Sequence, residues 1–494
     1  MKRFLFVLII LIAIVLRFYN LSGYIQFLGD QGRDVLIVKR MLVEHQWTLL
    51  GPNASVGGFF TGPIYYYFML PFLWFFNLNP VGPAYLSAFF GLATVILIYY
   101  FCKHFFNERV ALVASFLSAI SPKMVDISRF SWNPNPIPFF SLLAVLFLYL
   151  SATKHKKIFT VLSGVMVGIL FQLHYIDIVF IAISGVSLLL LFPWKEWVKQ
   201  IFLIVLGFII GDGLFLAFEI RHGFPNFVSM WEFITRKGQT VAPRSLNFLW
   251  LYDDITRRLY EMLFYFQGWP LKPFLYFSLL AALLWAKRTW FTHRAKVIVI
   301  GAWYLIGIFG IGSYQGDLHD HYFVYLYPLP FIFVGLLAEN FLKNKFLKYL
   351  VLPGIALIIY FSVKNAFFWQ EPHNMFQQVK EIDEQVLFYA NGQPYNLALI
   401  SGYNSDFAYR YFLEVWKKPP ITIENPDKDP ERTTVTSQLM VICEEKKCEP
   451  LGHPLWEIAG FGRAVILDQT TGPAGIKIFK LVHYEQTQNP NFKF

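Results

Sequence analysis

Charge is scarce in this chain, and so is cysteine. Asp, Glu, Lys and Arg make up only 15% of the 494 residues, whereas a soluble domain carries roughly 25%, so a surface wholly in contact with water is excluded. Three cysteines leave room for one intrachain disulfide at most and exclude a disulfide-built scaffold. No P-loop, Ser-His-Asp order or dinucleotide fingerprint is present. Internal repeats and low-complexity tracts are missing too, which removes the support for a transporter assembled from obvious repeats.

What the chain has in abundance is apolar sequence: 56% hydrophobic and 19% aromatic residues. About eleven long apolar stretches fall at 4–19, 82–101, 109–121, 136–153, 158–171, 176–192, 201–218, 271–286, 297–312, 322–340 and 347–363. Runs of about 16 to 22 apolar residues cross a hydrocarbon core of roughly 30 Å as helices. They are unbroken rather than alternating, which excludes a barrel. The stretches 109–121 and 158–171 are short and need flanking residues or tilt. The expected fold class is therefore a polytopic α-helical membrane protein with about eleven transmembrane helices.

Orientation follows from basic residues in the short connections. Lys2 and Arg3, Lys103 and Arg109, Lys154 to Lys157, Lys195 and Lys199, Lys287 to Lys296, and Lys343 to Lys348 mark every second connection. The opposite hairpins near 172–177 and 312–321 hold Asp177, Asp317 and Asp320 but no Lys or Arg. This pattern predicts a multi-pass plasma-membrane protein with a cytoplasmic N-terminus, an uncleaved first helix and an extracytoplasmic C-terminal segment. The formal charge of +10 is then largely topology signal facing membrane lipids, and no nucleic-acid partner is implied.

Residues 1–364 form the expected membrane domain, with long outer loops at 20–81 and 219–270. The second of these is basic, with Arg257 and Arg258 near its end, which suggests an anionic ligand. From 365 the charges return. Helices near 374–390 and 405–417, with strands near 396–401, 438–443, 463–468 and 476–483, predict a small extracytoplasmic α/β domain over 365–494. Cys443 and Cys448 lie within it; an oxidising compartment permits a bridge, two free thiols are the alternative, and a zinc site is disfavoured because His453 is the only nearby His.

The sharpest motif is Gly29-Asp30-Gln31-Gly32-Arg33-Asp34, just past the first span. On a helix, Asp30, Arg33 and Asp34 share one face at i, i+3 and i+4, presenting two carboxylates and a guanidinium. A helix-capping role for Asp30 is the plainer alternative. His174, beside Asp177 in the hairpin 172–177, is an ionisable group at a membrane boundary; a His174–Asp177 pair bracing that hairpin is the plainer reading. Asp317, His319, Asp320 and His321 have ligand chemistry for a divalent ion by residue type alone.

The first helix, the acidic Asp30 opening the first outer loop and the stretch Phe59-Phe60-Thr61-Gly62-Pro63-Ile64-Tyr65-Tyr66-Tyr67 resemble the GT-C membrane glycosyltransferases. The nearest likeness is to family 39, which includes protein mannosyltransferases and the aminoarabinose transferase of lipid A. The resemblance implies a GT-C-like fold, a polyprenyl-phosphate sugar as donor and an acceptor (protein, lipid or glycan) at the outer face of the cell envelope. It implies Asp30 as catalytic base, with Asp34 as a possible second acid, and Arg33 and Tyr65 on the substrate side. The segment Ser121–Pro134 keeps the family's Arg as Arg129 but has Asn133 and Asn135 where an Asp is common. Arg129, Arg257, Arg258, His319 and His321 are the expected contacts to the donor phosphate, with His174 nearby. No cofactor and no metal site is assigned; divalent-metal dependence stays open. A glycan polymerase or ligase, or a flippase of lipid-linked sugars, is the competing class.

Overall fold

The structure is a computed structural model that describes residues 2–54, 57–235, 248–265, 271–314 and 317–484. The chain divides into two compact units. One comprises Met1–Leu21, Gln46–Pro71 and Ala84–Glu371; the other comprises Ser22–His45, Phe72–Pro83 and Pro372–Phe494.

The first unit is helical. Among the described residues, Val81–Phe105, Ile137–Lys154 and Leu271–Ser313 are long and apolar enough to cross a bilayer, and two bent pairs raise the number of candidate spans to five. Several of the eleven expected stretches fold as helices shorter than these or broken by a bend. The stretch 201–218 runs through an 84° bend between Trp194–Gly211 and Gly213–His222. The stretch 322–340 runs through a 52° bend between Asp320–Leu326 and Pro328–Lys343, where the proline cannot continue the preceding hydrogen-bond ladder. Leu271–Ser313 leaves helical geometry at His293, inside the basic connection expected at 287–296. The segments 20–81 and 219–270 also hold helices outside the expected spans, Ile64–Phe75, Pro225–Thr235 and Phe248–Phe264. Three basic residues of the second loop, Arg236, Lys237 and Arg244, lie outside the described residues.

Small residues let apolar helices pack where hydrophobicity alone gives no preference for helix over lipid. Gly164 and Gly168 on Lys157–Leu173 face Gly207 and Gly211 on Trp197–Gly211. A Cβ on Gly164 would lie 2.2 Å from Ile204 O, and one on Gly207 would lie 2.0 Å from Val161 O. Thr160 Oγ1 donates to Gln200 Oε1 across the same pair at 2.8 Å.

The second unit is built on a four-stranded sheet: β1 (Asn396–Ile400), β2 (Gln438–Cys443), β3 (Ala464–Thr471) and β4 (Lys477–His483), in the order β1-β2-β4-β3. β1 and β2 are parallel, and the other pairs antiparallel. β1 and β2 are buried at every position, as their continuous apolar runs require of strands covered on both faces. Helices Met375–Ala390 and Phe407–Val415 fall where expected. Cys443 and Cys448 form a disulfide.

The helix Gly29–Val43 belongs to this unit and packs on Phe407–Val415. Its apolar residues Val35, Leu36, Val38 and Met41 are buried. Close approach is possible because position 32 is glycine: a Cβ there would lie 2.2 Å from Ala408 N and 2.4 Å from Ala408 Cα. Backbone atoms cannot swing aside, so Gly32→Ala should cost about 1–3 kcal/mol by overpacking. The result is expected as a lower melting temperature, while the unobstructed control Gly402→Ala stays within about 0.5 kcal/mol of the parent.

Candidate active site

Asp30 sits in the first turn of Gly29–Val43, where a carboxylate interacts favourably with the helix dipole. It does not cap the helix. The N-cap is Leu28, whose N–H donates instead to Gln31 Oε1 at 3.1 Å. This gives Gln31 a local structural task. The Asp30 side chain is 55% exposed and receives Arg33 Nη1 at 2.9 Å. Arg33 Nε and Nη2 both donate to Asp34 Oδ1, at 3.0 and 2.8 Å. Asp34 is 1% exposed. The three residues thus share one face, as their spacing predicts, but with unequal standing. The buried Asp34 orients the guanidinium, and the guanidinium orients the accessible Asp30 carboxylate. Two charge-assisted N–H donors on one buried oxygen hold the guanidinium in place.

A second cluster lies in the first unit. His174 ends the helix Lys157–Leu173, and its Nδ1 accepts the Ile176 N–H at 3.3 Å. The expected pairing with Asp177 is therefore not the contact that braces this hairpin. The turn Tyr175–Ile178 brings a backbone N–H to the ring, while the buried Asp177 carboxylate has no hydrogen-bond partner among the described residues. Burial, then the neighbouring His321, hold His174 well below the usual imidazole range. It is neutral at pH 7, with Nδ1 accepting and Nε2 carrying the proton. The His321 ring lies 5.2 Å from His174, 4.7 Å from Trp132 and 4.5 Å from Tyr322, and stacks on His319 at 5.6 Å. Tyr175 donates to Tyr322 through their hydroxyls at 2.9 Å. Beside them Lys123 pairs with Asp320 at 2.5 Å. Lys123 belongs to the same segment, Ser121–Pro134, as Arg129, the cation expected there. Among the described residues no group of three or more His, Cys, Asp or Glu side chains could hold a metal ion.

The other expected site residues have local partners. Arg129 is 3% exposed. Its guanidinium donates to the carbonyls of Leu16 and Tyr19 at 2.9 Å and of Arg17 at 3.3 Å, and lies over the Phe367 ring at 3.8 Å. It closes the C-terminal end of Lys2–Phe18, where a cation is favoured. Arg17, unremarked within an apolar run, does the same for Glu108–Ile120 through the carbonyls of Ser118 and Ala119 at 3.2 and 3.0 Å. Asn133 Nδ2 donates to Leu173 O and Asn135 Nδ2 to Phe130 O. An ionised Asp could donate neither bond, which accounts for amides at these positions. Arg257 is paired with Asp254 and Glu261, and Arg258 with Asp254, all on their own helix. Tyr65 is buried and shares a 2.8 Å hydrogen bond with Ser131 Oγ.

Residues 61–216 match the family described as dolichyl-phosphate-mannose-protein mannosyltransferase. No curated protein matches the chain by sequence. Among solved structures, ArnT from Cupriavidus metallidurans bound to undecaprenyl phosphate is 13% identical, with 96% of this chain and 97% of that one covered at a TM-score of 0.62. The oligosaccharyltransferase AglB from Archaeoglobus fulgidus, in complex with an inhibitory peptide and a dolichol-phosphate, is 12% identical, with 89% and 69% covered and a TM-score of 0.55. The chain thus has the fold of these two structures, and its segment 61–216 matches the mannosyltransferase family.

Proposed function

We propose that this enzyme transfers a sugar from a polyprenyl-phosphate donor to an acceptor hydroxyl at the outer face of the plasma membrane. The observation that carries the reading is the likeness to a structure bound to undecaprenyl phosphate and another bound to a dolichol-phosphate, in a chain whose family segment is that of lipid-phosphate-mannose transferases. Asp30 takes the acceptor proton as its oxygen attacks the anomeric carbon. The bond from that carbon to the phosphate oxygen breaks, and the lipid phosphate leaves with the bonding pair. A single displacement of this kind inverts the anomeric centre.

Donor groups placed where charge develops on the leaving phosphate supply the electrostatic part of such catalysis. We assign that contact to His319 and His321, with His174 Nε2–H as a neutral donor. Arg129, Arg257 and Arg258 are left out because backbone carbonyls and neighbouring carboxylates already engage them. Eleven spans, a cytoplasmic N-terminus and an outer C-terminal domain complete the proposal. The alternation of basic connections supports that orientation, and the Cys443–Cys448 bridge suits an oxidising compartment.

Purified protein given a labelled polyprenyl-phosphate sugar and a membrane extract should move the label onto an acceptor and release the lipid phosphate in equal amounts. Movement of intact labelled lipid across a vesicle membrane, with no cleavage, would instead make the protein a flippase.

A further inference from the structure

The helix that carries Asp30 starts on a side chain far along the sequence. Gly29 N–H, one of the backbone donors a helix start leaves unused, donates to Asn404 Oδ1 at 2.8 Å. Asn404 Nδ2 donates in turn to Glu444 Oε1 at 2.8 Å, and the buried Tyr409 hydroxyl donates to the same oxygen at 2.8 Å. Asn404 follows β1, and Glu444 directly follows β2. These loops lie side by side because the parallel strands end together, with Ile400 opposite Cys443, and Glu444 N–H donates to Ile400 O at 3.0 Å. The disulfide closes the loop that carries Glu444. Glycine at position 29 lets this loop come close, since a Cβ there would fall 1.9 Å from Ser405 Oγ.

We propose that Asn404 is a positioning residue for glycosyl transfer and that Glu444 sets Asn404 in turn, so that the sheet domain aims the Asp30 carboxylate. The inference rests on the reading of Asp30 as the base. Asn404 must accept from Gly29 and donate to Glu444 at once, which an amide does and an ionised carboxylate cannot. Asn404→Asp keeps the acceptor but sets two carboxylates against each other. Glu444→Gln keeps an acceptor oxygen for Asn404 and Tyr409. Combining the two substitutions reverses the hydrogen bond, since the new amide at 444 can donate to the new carboxylate at 404.

The test uses full-length protein in lipid nanodiscs, with labelled polyprenyl-phosphate sugar for turnover and hydrogen–deuterium exchange over Gly29–Gly32. Asn404→Asp should lower kcat by about tenfold or more at nearly constant donor KM, and speed exchange over that segment. Glu444→Gln, which keeps an acceptor oxygen, should lose less than Asn404→Asp in both, and the double variant should recover to the level of Glu444→Gln. A rise in KM with kcat unchanged would overturn the proposal, as would a double variant that recovers neither measurement. Loss of kcat with unchanged exchange would overturn the clamp itself. Faster exchange with full kcat would leave the clamp standing and overturn its link to catalysis, placing the failure in the reading of Asp30.

Discussion

Asp30→Asn should fold, insert and bind donor, yet turn over at least on the order of 10² more slowly. The substitution preserves size and leaves an acceptor oxygen for Arg33 Nη1, so the face shared by Asp30, Arg33 and Asp34 keeps its shape. What it removes is the capacity to take a proton at neutral pH. The comparison variant is Asp34→Asn. Its carboxylate is buried and receives two N–H groups from Arg33, so its loss should destabilise the fold and loosen Arg33. Turnover per folded molecule should fall less than for Asp30→Asn. Turnover rates on size-purified protein decide the matter, and near-parental turnover by a folded Asp30→Asn protein would sink the assignment.

The second large effect is expected at Arg129, in stability. Arg129→Met keeps much of the buried apolar stem but strips the donors from the carbonyls of Leu16, Arg17 and Tyr19. Leaving buried acceptors unmade costs about 1–3 kcal/mol each, so the melting temperature in detergent should drop sharply. Arg129→Lys, with a single point donor in place of a planar fork, should fall between the two. Donor KM of the folded fraction is expected to stay at the parental value. A raised KM with unchanged melting would return Arg129 to the lipid phosphate, where the family resemblance puts it.

Arg129 shows where sequence reasoning stops. A guanidinium at a membrane boundary suits an anion or a helix end equally well, and the choice depends on which carbonyls reach it. Those of Leu16, Arg17 and Tyr19 come from more than a hundred positions away. The pairing of Arg257 and Arg258 with Asp254 and Glu261, by contrast, was legible, because i, i+3 and i, i+4 neighbours meet on any helix. The same rule made the Asp30, Arg33 and Asp34 face predictable. It said nothing of which carboxylate would be buried.

Apolar run length and the return of charge after residue 364 determined by themselves that helices face lipid and that a small α/β domain follows, since both depend on composition over a window. Strand positions in that domain followed from short apolar runs between turn residues. Bends are another matter. The stretch 201–218 reads as one continuous helix, yet it turns by 84°. Tertiary structure alone brought Trp132, His174 and His321 together and set Asn404 against Gly29. Contacts between segments tens to hundreds of residues apart have no local signature, because the backbone geometry that joins them is settled by the packing of everything between.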